Sequence, residues 1–160
     1  MSIEGLELEC TAIVATSPEI AFRHFVERFG QWWPREYTWS RERLGSIGIG
    51  SRAGERCTET SRDGFTIDFG RTLAVDAPHR LSFAWCIDPT RVPIPDVDAA
   101  GIVTVEFSPH DVGSTRVRLA HAGFERHGDA GRGYRNAMAS ERGWPFILER
   151  YAASFESSAG

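Results

Sequence analysis

Between Trp144 and Phe155 the apolar residues Trp144, Ile147, Leu148, Tyr151, Ala152 and Phe155 recur at spacings of three and four, which lays them along one face of a helix. Upstream, the segments Phe65–Phe69, Leu81–Trp85, Val103–Phe107 and Val117–His121 alternate large apolar residues with small or polar ones. That is the pattern of antiparallel strands covered on one side only. An apolar helix face and an apolar sheet face must both be buried, and the economical solution is to bury each against the other. With aromatics this bulky on the inner face, the sheet has to curl around the helix, and the space between them can hold a ligand.

The remaining elements fit that plan. Leu6, Leu8 and Cys10 alternate with Glu7, Glu9 and Thr11 in a first strand. Ser17-Pro18-Glu19 is a helix start, with Ser as N-cap, Pro at the first position and an acid in the first turn. Ile20, Ala21, Phe22, Phe25, Val26 and Phe29 supply the apolar side of this helix, and Gly30 its expected end. Pro34 closes any second short helix. A glycine-punctuated stretch leads into a bent strand over Arg52 to Thr60. Asp63-Gly64 is a hairpin turn, Asp76–His79 and His110–Ser114 are further turns, and Asp88–Gly101, with Pro89, Pro93 and Pro95, is a long loop. That loop is the expected mobile element, whether as lid, dimer arm or connector. A short helix is expected over Tyr134–Ser140, with the main helix beginning near Trp144. The expectation is one α+β domain over residues 1–160, with a curved antiparallel sheet of about six strands and one or two short helices after the first strand. No parallel crossover series is visible, which disfavours a Rossmann or flavodoxin fold.

Composition narrows the function. Hydrophobic residues make up 41% and charged residues 25%, enough apolar surface for a packed core. The net charge of -4 has the wrong sign for a nucleic-acid binder. All 18 basic residues are arginine, which removes Schiff-base and Walker-type lysine chemistry. Cys10, Cys57 and Cys86 have no paired spacing and read as reduced, buried residues of a cytoplasmic protein. The acidic, alternating N-terminus is unlike a signal peptide, and no apolar run is long enough to span a bilayer. The five histidines show no metal-ligating spacing, so neither a metal nor another cofactor is expected.

Several strings, in order, resemble a known family. These are Val14–Phe22 (VATSPEIAF), Trp32-Trp33-Pro34, Gly50-Ser51-Arg52 with Glu55, Asp63-Gly64, Phe69-Gly70-Arg71, Pro78–Trp85 (PHRLSFAW), and Leu119–Phe124 (LAHAGF) followed by Gly143-Trp144. Together they resemble the START/polyketide-cyclase-like helix-grip proteins of the SRPBCC superfamily. The nearest branch is the one homologous to the C-terminal domain of the activator of heat shock protein 90 ATPase. The resemblance covers nearly the whole chain. It departs at Phe69, where the family carries tryptophan, and at Pro145 after Trp144. It implies a helix-grip fold with a hydrophobic cavity, and it implies homodimerisation as a possibility. Function is less constrained, because the superfamily hosts carriers, receptors and cyclases alike.

The candidate site follows from the inferred inner faces. Trp33, Trp39, Phe69, Phe83, Trp85, Phe107, Trp144 and Leu148 would line a cavity for a small hydrophobic or aromatic molecule; the alternative for many of them is core packing. His121 is in phase with Val117 and Leu119 and would face inward. There it either orients a ligand or acts as an acid or base, or is satisfied by a backbone carbonyl. Arg71 is in phase with Phe69, Leu73 and Val75; facing inward, it needs a ligand carboxylate or an ion pair with Glu55. Three functions are open: ligand binding as a carrier or sensor; a cyclase, dehydratase or hydrolase with His121 as acid or base; and a co-chaperone-like regulator.

Overall fold

A computed structural model describes residues 6–158, with side chains through residue 155; the N-terminal reading over residues 1–5 lies outside the described residues. Seven strands form one antiparallel sheet: β1 (Leu8–Val14), β2 (Leu44–Gly48), β3 (Arg56–Ser61), β4 (Thr66–Asp76), β5 (Arg80–Trp85), β6 (Gly101–Pro109) and β7 (Thr115–Ala122), in the order β1-β7-β6-β5-β4-β3-β2. Helices α1 (Pro18–Glu27) and α2 (Phe29–Trp32) follow β1, and α3 (Gly131–Ala139) and α4 (Trp144–Ser158) follow β7. This is the helix-grip arrangement, a curled sheet closed by a long C-terminal helix. The strand beyond the expected six is β2; its sequence Leu-Gly-Ser-Ile-Gly is too short and glycine-rich to show alternation.

Local chemistry sets the helix boundaries. Ser17 Oγ accepts from the Ile20 amide at 3.3 Å, with Pro18 opening α1. The first helix ends at Arg28 and not at Gly30. Gly30 instead sits inside α2, where an added Cβ would lie 2.9 Å from the Ile47 carbonyl oxygen. Glycine there lets α2 press onto β2. Gly143 plays a similar part between α3 and α4, since a Cβ would come within 2.1 Å of the Met138 carbonyl oxygen. The short helix before α4 begins at Gly131, three residues ahead of the expected Tyr134.

The main core lies between the sheet and α1, α2 and α4. Trp32, Phe25, Phe29, Phe107 and Tyr151 are all at most 2% exposed and meet through ring contacts of 4.8–6.3 Å. The Trp32 indole N–H donates to the Phe25 carbonyl at 3.3 Å and the Tyr151 hydroxyl to that of Ala21 at 2.6 Å, so each buried polar tip is satisfied. The α4 stripe packs as its spacing predicts: Trp144, Ile147, Leu148 and Tyr151 are buried, and Ala152 and Phe155 are half-buried.

Two β-bulges in β4 change which residues face inward. The β3 pairing steps from Cys57–Gly70 to Thr58–Asp68, leaving Phe69 as an extra residue, and the β5 pairing does the same at Leu73. Each extra residue reverses the alternation. Phe69 and Thr72 are therefore buried, whereas Arg71 is exposed. This corrects the inward orientation expected of Arg71, and the expected ion pair goes with it. Glu55 turns to its own loop, accepting from the amides of Ser51 and Arg52 at 2.8 and 3.0 Å. Leu73, with Ile94 and Val97, packs on Ala84, Cys86 and Ala100 on the outer face.

Candidate functional site

An open cavity of about 830 Å³ lies at one end of the grip. It is bounded by the end of β5, the loop after it, the segment from Trp33 to Arg41, and the α3–α4 junction. This exceeds the roughly 300 Å³ at which small-molecule sites begin. Of the expected residues, Trp33, Trp39 and Trp85 line it, joined by Tyr37, Tyr134, Met138 and Ile147.

The wall is built from tryptophans fixed at different depths. Trp33 stacks on Phe29 at 4.9 Å and meets Trp85 and Trp144 at 6.0 Å. Its buried indole N–H has no hydrogen-bond partner among the described residues. The Trp85 indole N–H donates to the Tyr134 hydroxyl at 2.8 Å, which donates in turn to the Ile87 carbonyl at 2.7 Å. Burial pushes the Tyr134 phenol up to about 12, against a smaller downward pull from the Trp85 hydrogen bond, so the hydroxyl stays protonated and acts as a strut. Trp39 is part-exposed, and its indole N–H donates to the Arg91 carbonyl at 3.0 Å.

That last bond ties two rim segments together. On one side, Glu59 is 1% exposed on β3 and accepts from the Trp39 amide at 3.2 Å and from the amide and hydroxyl of Ser40, each at 2.6 Å. Its carboxylate thus organises the corner that carries Arg41. On the other side, Asp88 Oδ1 accepts from Thr90 N, Thr90 Oγ and Val92 N at 2.7–2.9 Å, a tight turn that carries Arg91. The Val92 and Thr90 hydrogen bonds hold the Asp88 carboxyl below its ordinary value. Beyond this turn the loop is strapped down. Ile87 bridges to Pro93, and the Ile94 amide donates to the Cys86 carbonyl at 2.8 Å. Of the three roles open to this loop, its first half forms the cavity rim and its second half covers the outer face.

The other expected residues pack elsewhere. Phe69, Phe83, Phe107, Trp144 and Leu148 are buried in the core and do not line the cavity. His121 faces inward from β7 but is fully buried and also lies outside the cavity wall. The Trp144 indole N–H donates to its Nδ1 at 2.9 Å, and Phe124 covers the ring at 4.2 Å. On the far side a Cβ at Gly101 would sit 2.9 Å from Nε2. Burial, with a smaller contribution from His127, lowers its pKa to about 3, so the ring is a neutral acceptor at physiological pH. Arg71 lies against a separate, smaller outer-face depression with Asp68 and Cys86.

Sequence reasoning missed Tyr134, Asp88, Glu59, Arg41, Arg91 and Arg142 as builders of this end. Asp88 spaced before Thr90 was the one local signal available. The remainder depend on where loops meet in space.

The sequence model of the Activator of Hsp90 ATPase homolog 1-like proteins matches residues 15–156. The chain belongs to this family. No curated protein matches the sequence. Among solved structures, an anthrahydroquino-γ-pyrone synthase, Txn09, solved as a complex, is 34% identical; the match covers 96% of this chain and 99% of that one, with a TM-score of 0.65. CalC from Micromonospora echinospora, a self-sacrificing resistance protein, is 24% identical over 95% of each chain, with a TM-score of 0.63. The AHSA1-like protein from Aeromonas hydrophila is 19% identical over 96% of this chain and 94% of its own, with a TM-score of 0.61. The last two similarities speak to fold alone, and all three agree with the helix-grip architecture described above.

Proposed function

We propose that this family member binds a flat, polycyclic aromatic molecule in the cavity at the α3–α4 end of the grip. The observation that carries the reading is the cavity of about 830 Å³ walled by Trp33, Trp39, Trp85 and Tyr134. Aromatic faces of fixed orientation stack on flat ligands at little entropic cost. The relative that is 34% identical over nearly the whole chain, named for an anthrahydroquinone-fused product, supports the same ligand class. Tryptophan emission should be quenched saturably, at one ligand per chain, by a soluble anthraquinone. Trp85→Ala should abolish that quenching. Unsaturable quenching, or quenching unchanged by Trp85→Ala, contradicts the reading.

A second reading, ring closure on such a ligand, is favoured by the synthase activity for which that relative is named. In general chemistry, a γ-pyrone closes from an ortho-hydroxyaryl 1,3-diketone. The phenol oxygen adds to the distal carbonyl carbon and its proton passes to that carbonyl oxygen, giving a hydroxyl. That hydroxyl then leaves with one proton from the methylene between the two carbonyls, so the ring double bond forms and one water departs. The cavity would contribute by holding the oxygen and the carbonyl within reach of one another. Asp88, the carboxylate on the wall, would take the phenol proton. His121 would contribute only through the position of Trp144. Mass loss of one water from a hydroxyanthraquinone diketone, abolished in Asp88→Asn, supports this reading; conversion at the uncatalysed rate removes it.

A further inference from the structure

Among the described residues, two that are not glycine adopt left-handed backbone conformations: Arg41 with φ 49° and Arg91 with φ 66°. Both lie on the wall of the same cavity, on opposite sides of the Trp39–Arg91 bond. This conformation is unfavourable for an arginine, and glycine or asparagine would occupy it more readily. Strain retained at a cavity rim points to a use for the side chains that bear it.

Charge points the same way. Arg142 joins them on the wall, and none of the three forms an ion pair among the described residues. Among the described residues Asp88 is the one acid on the wall, so three positive charges face one negative there. The surplus stands out on a chain whose net charge is -4. Two of the arginines are held by dedicated scaffolds: the buried Glu59 carboxylate shapes the corner before Arg41, and the Asp88 turn shapes the approach to Arg91.

We propose that the ligand of this cavity is an aromatic acid, its rings against the tryptophans and its carboxylate or equally anionic oxygen at the rim, held by Arg41, Arg91 and Arg142. The guanidinium fork suits an oxyanion, and a rim location gives entry with the ring system leading. This inference rests on the proposed aromatic-binding function and adds the charge of the ligand.

The test compares anthraquinone-2-carboxylate with its neutral carboxamide, titrated against the whole chain at neutral pH and low salt. The carboxylate is expected to bind about tenfold tighter. Added salt should narrow the gap by weakening the carboxylate alone. In the Arg41→Gln/Arg91→Gln/Arg142→Gln triple variant, checked for an unchanged unfolding midpoint, the gap should close; Arg91→Lys alone should keep most of it. Equal affinity of the two ligands for the unmodified protein overturns the aromatic-acid proposal and leaves the aromatic site standing. Binding of neither overturns both.

Discussion

Trp32 and Trp33 are neighbours in the sequence, yet they belong to different halves of the molecule. Trp32 is 1% exposed, wedged among Phe25, Phe29 and Tyr151, with its indole N–H bonded to Phe25. Trp33 sits one residue on, where α2 ends and the backbone turns extended. Its ring closes the core on one side through Phe29 and forms the cavity wall on the other. In the closed half, α1, α2 and α4 lie on the sheet and packed aromatic rings make up much of the core between them. In the open half the covering elements are loops and the α3–α4 joint, which stand off from the sheet. Whether an aromatic is core or wall is therefore decided by what covers it, and residue type carries little of that information.

Substitutions can break this contrast. The largest effect is expected from Trp32→Ala, about 3–5 kcal/mol of lost stability by denaturant unfolding, because all of its neighbours lose contacts. Trp33→Ala should cost about 3 kcal/mol, the low end of the same range, since part of its ring borders the cavity, while aromatic binding disappears. Equal stability losses would show that Trp33 is core like its neighbour.

Glu59→Ala tests whether the rim is built from below. It strips the acceptor from the Trp39 and Ser40 amides, and leaving buried donors unmatched costs about 2–3 kcal/mol. Ligand affinity should fall with it even though Glu59 is absent from the wall. Full affinity after this substitution would separate the corner from the site.

Acid sensitivity should come from buried histidines, His121 above all, which packs against Trp85, Phe124 and Trp144. His121 has its folded pKa lowered to about 3 from an ordinary 6.5, mainly by burial. Below pH 6.5 the unfolded chain takes up a proton that the folded chain refuses. Stability is thus complete above that pH and declines on acidification by about 1.4 kcal/mol per pH unit until the folded pKa is reached. His24 and His127, also lowered chiefly by burial, add to the same slope. His121→Gln keeps an acceptor near the Trp144 indole and should flatten the acid limb; an unchanged limb would place the titration elsewhere. Smallest is Tyr134→Phe, which removes the strut between Trp85 and Ile87 for about 1 kcal/mol and loosens the wall more than the fold.

The legibility of the two halves differs in the same way. The α4 stripe and the strands with unbroken alternation were readable, because periodicity reports burial wherever an element is regular. Arg71 was misread because the bulge at Phe69 reverses the phase of β4 just ahead of it, and nothing in the local alternation announces that bulge. The core members of the expected site, Phe83, Phe107 and Leu148 among them, were correctly judged inward-facing, but inwardness does not distinguish filled space from cavity. Arg41, Arg91 and Asp88 come from segments without periodicity, and only the tertiary meeting of loops brings them to one rim with Tyr134 of α3.

The most direct test of the account uses the chain's five tryptophans as reporters. In a nitrogen-labelled sample each indole N–H gives its own resonance. On adding anthraquinone-2-carboxylate, the signals of Trp33, Trp39 and Trp85 should move and saturate together, while those of Trp32 and Trp144 hold still. If Trp32 and Trp144 move and the three wall residues do not, the ligand enters between sheet and helix, and the division into a filled half and an open half is wrong.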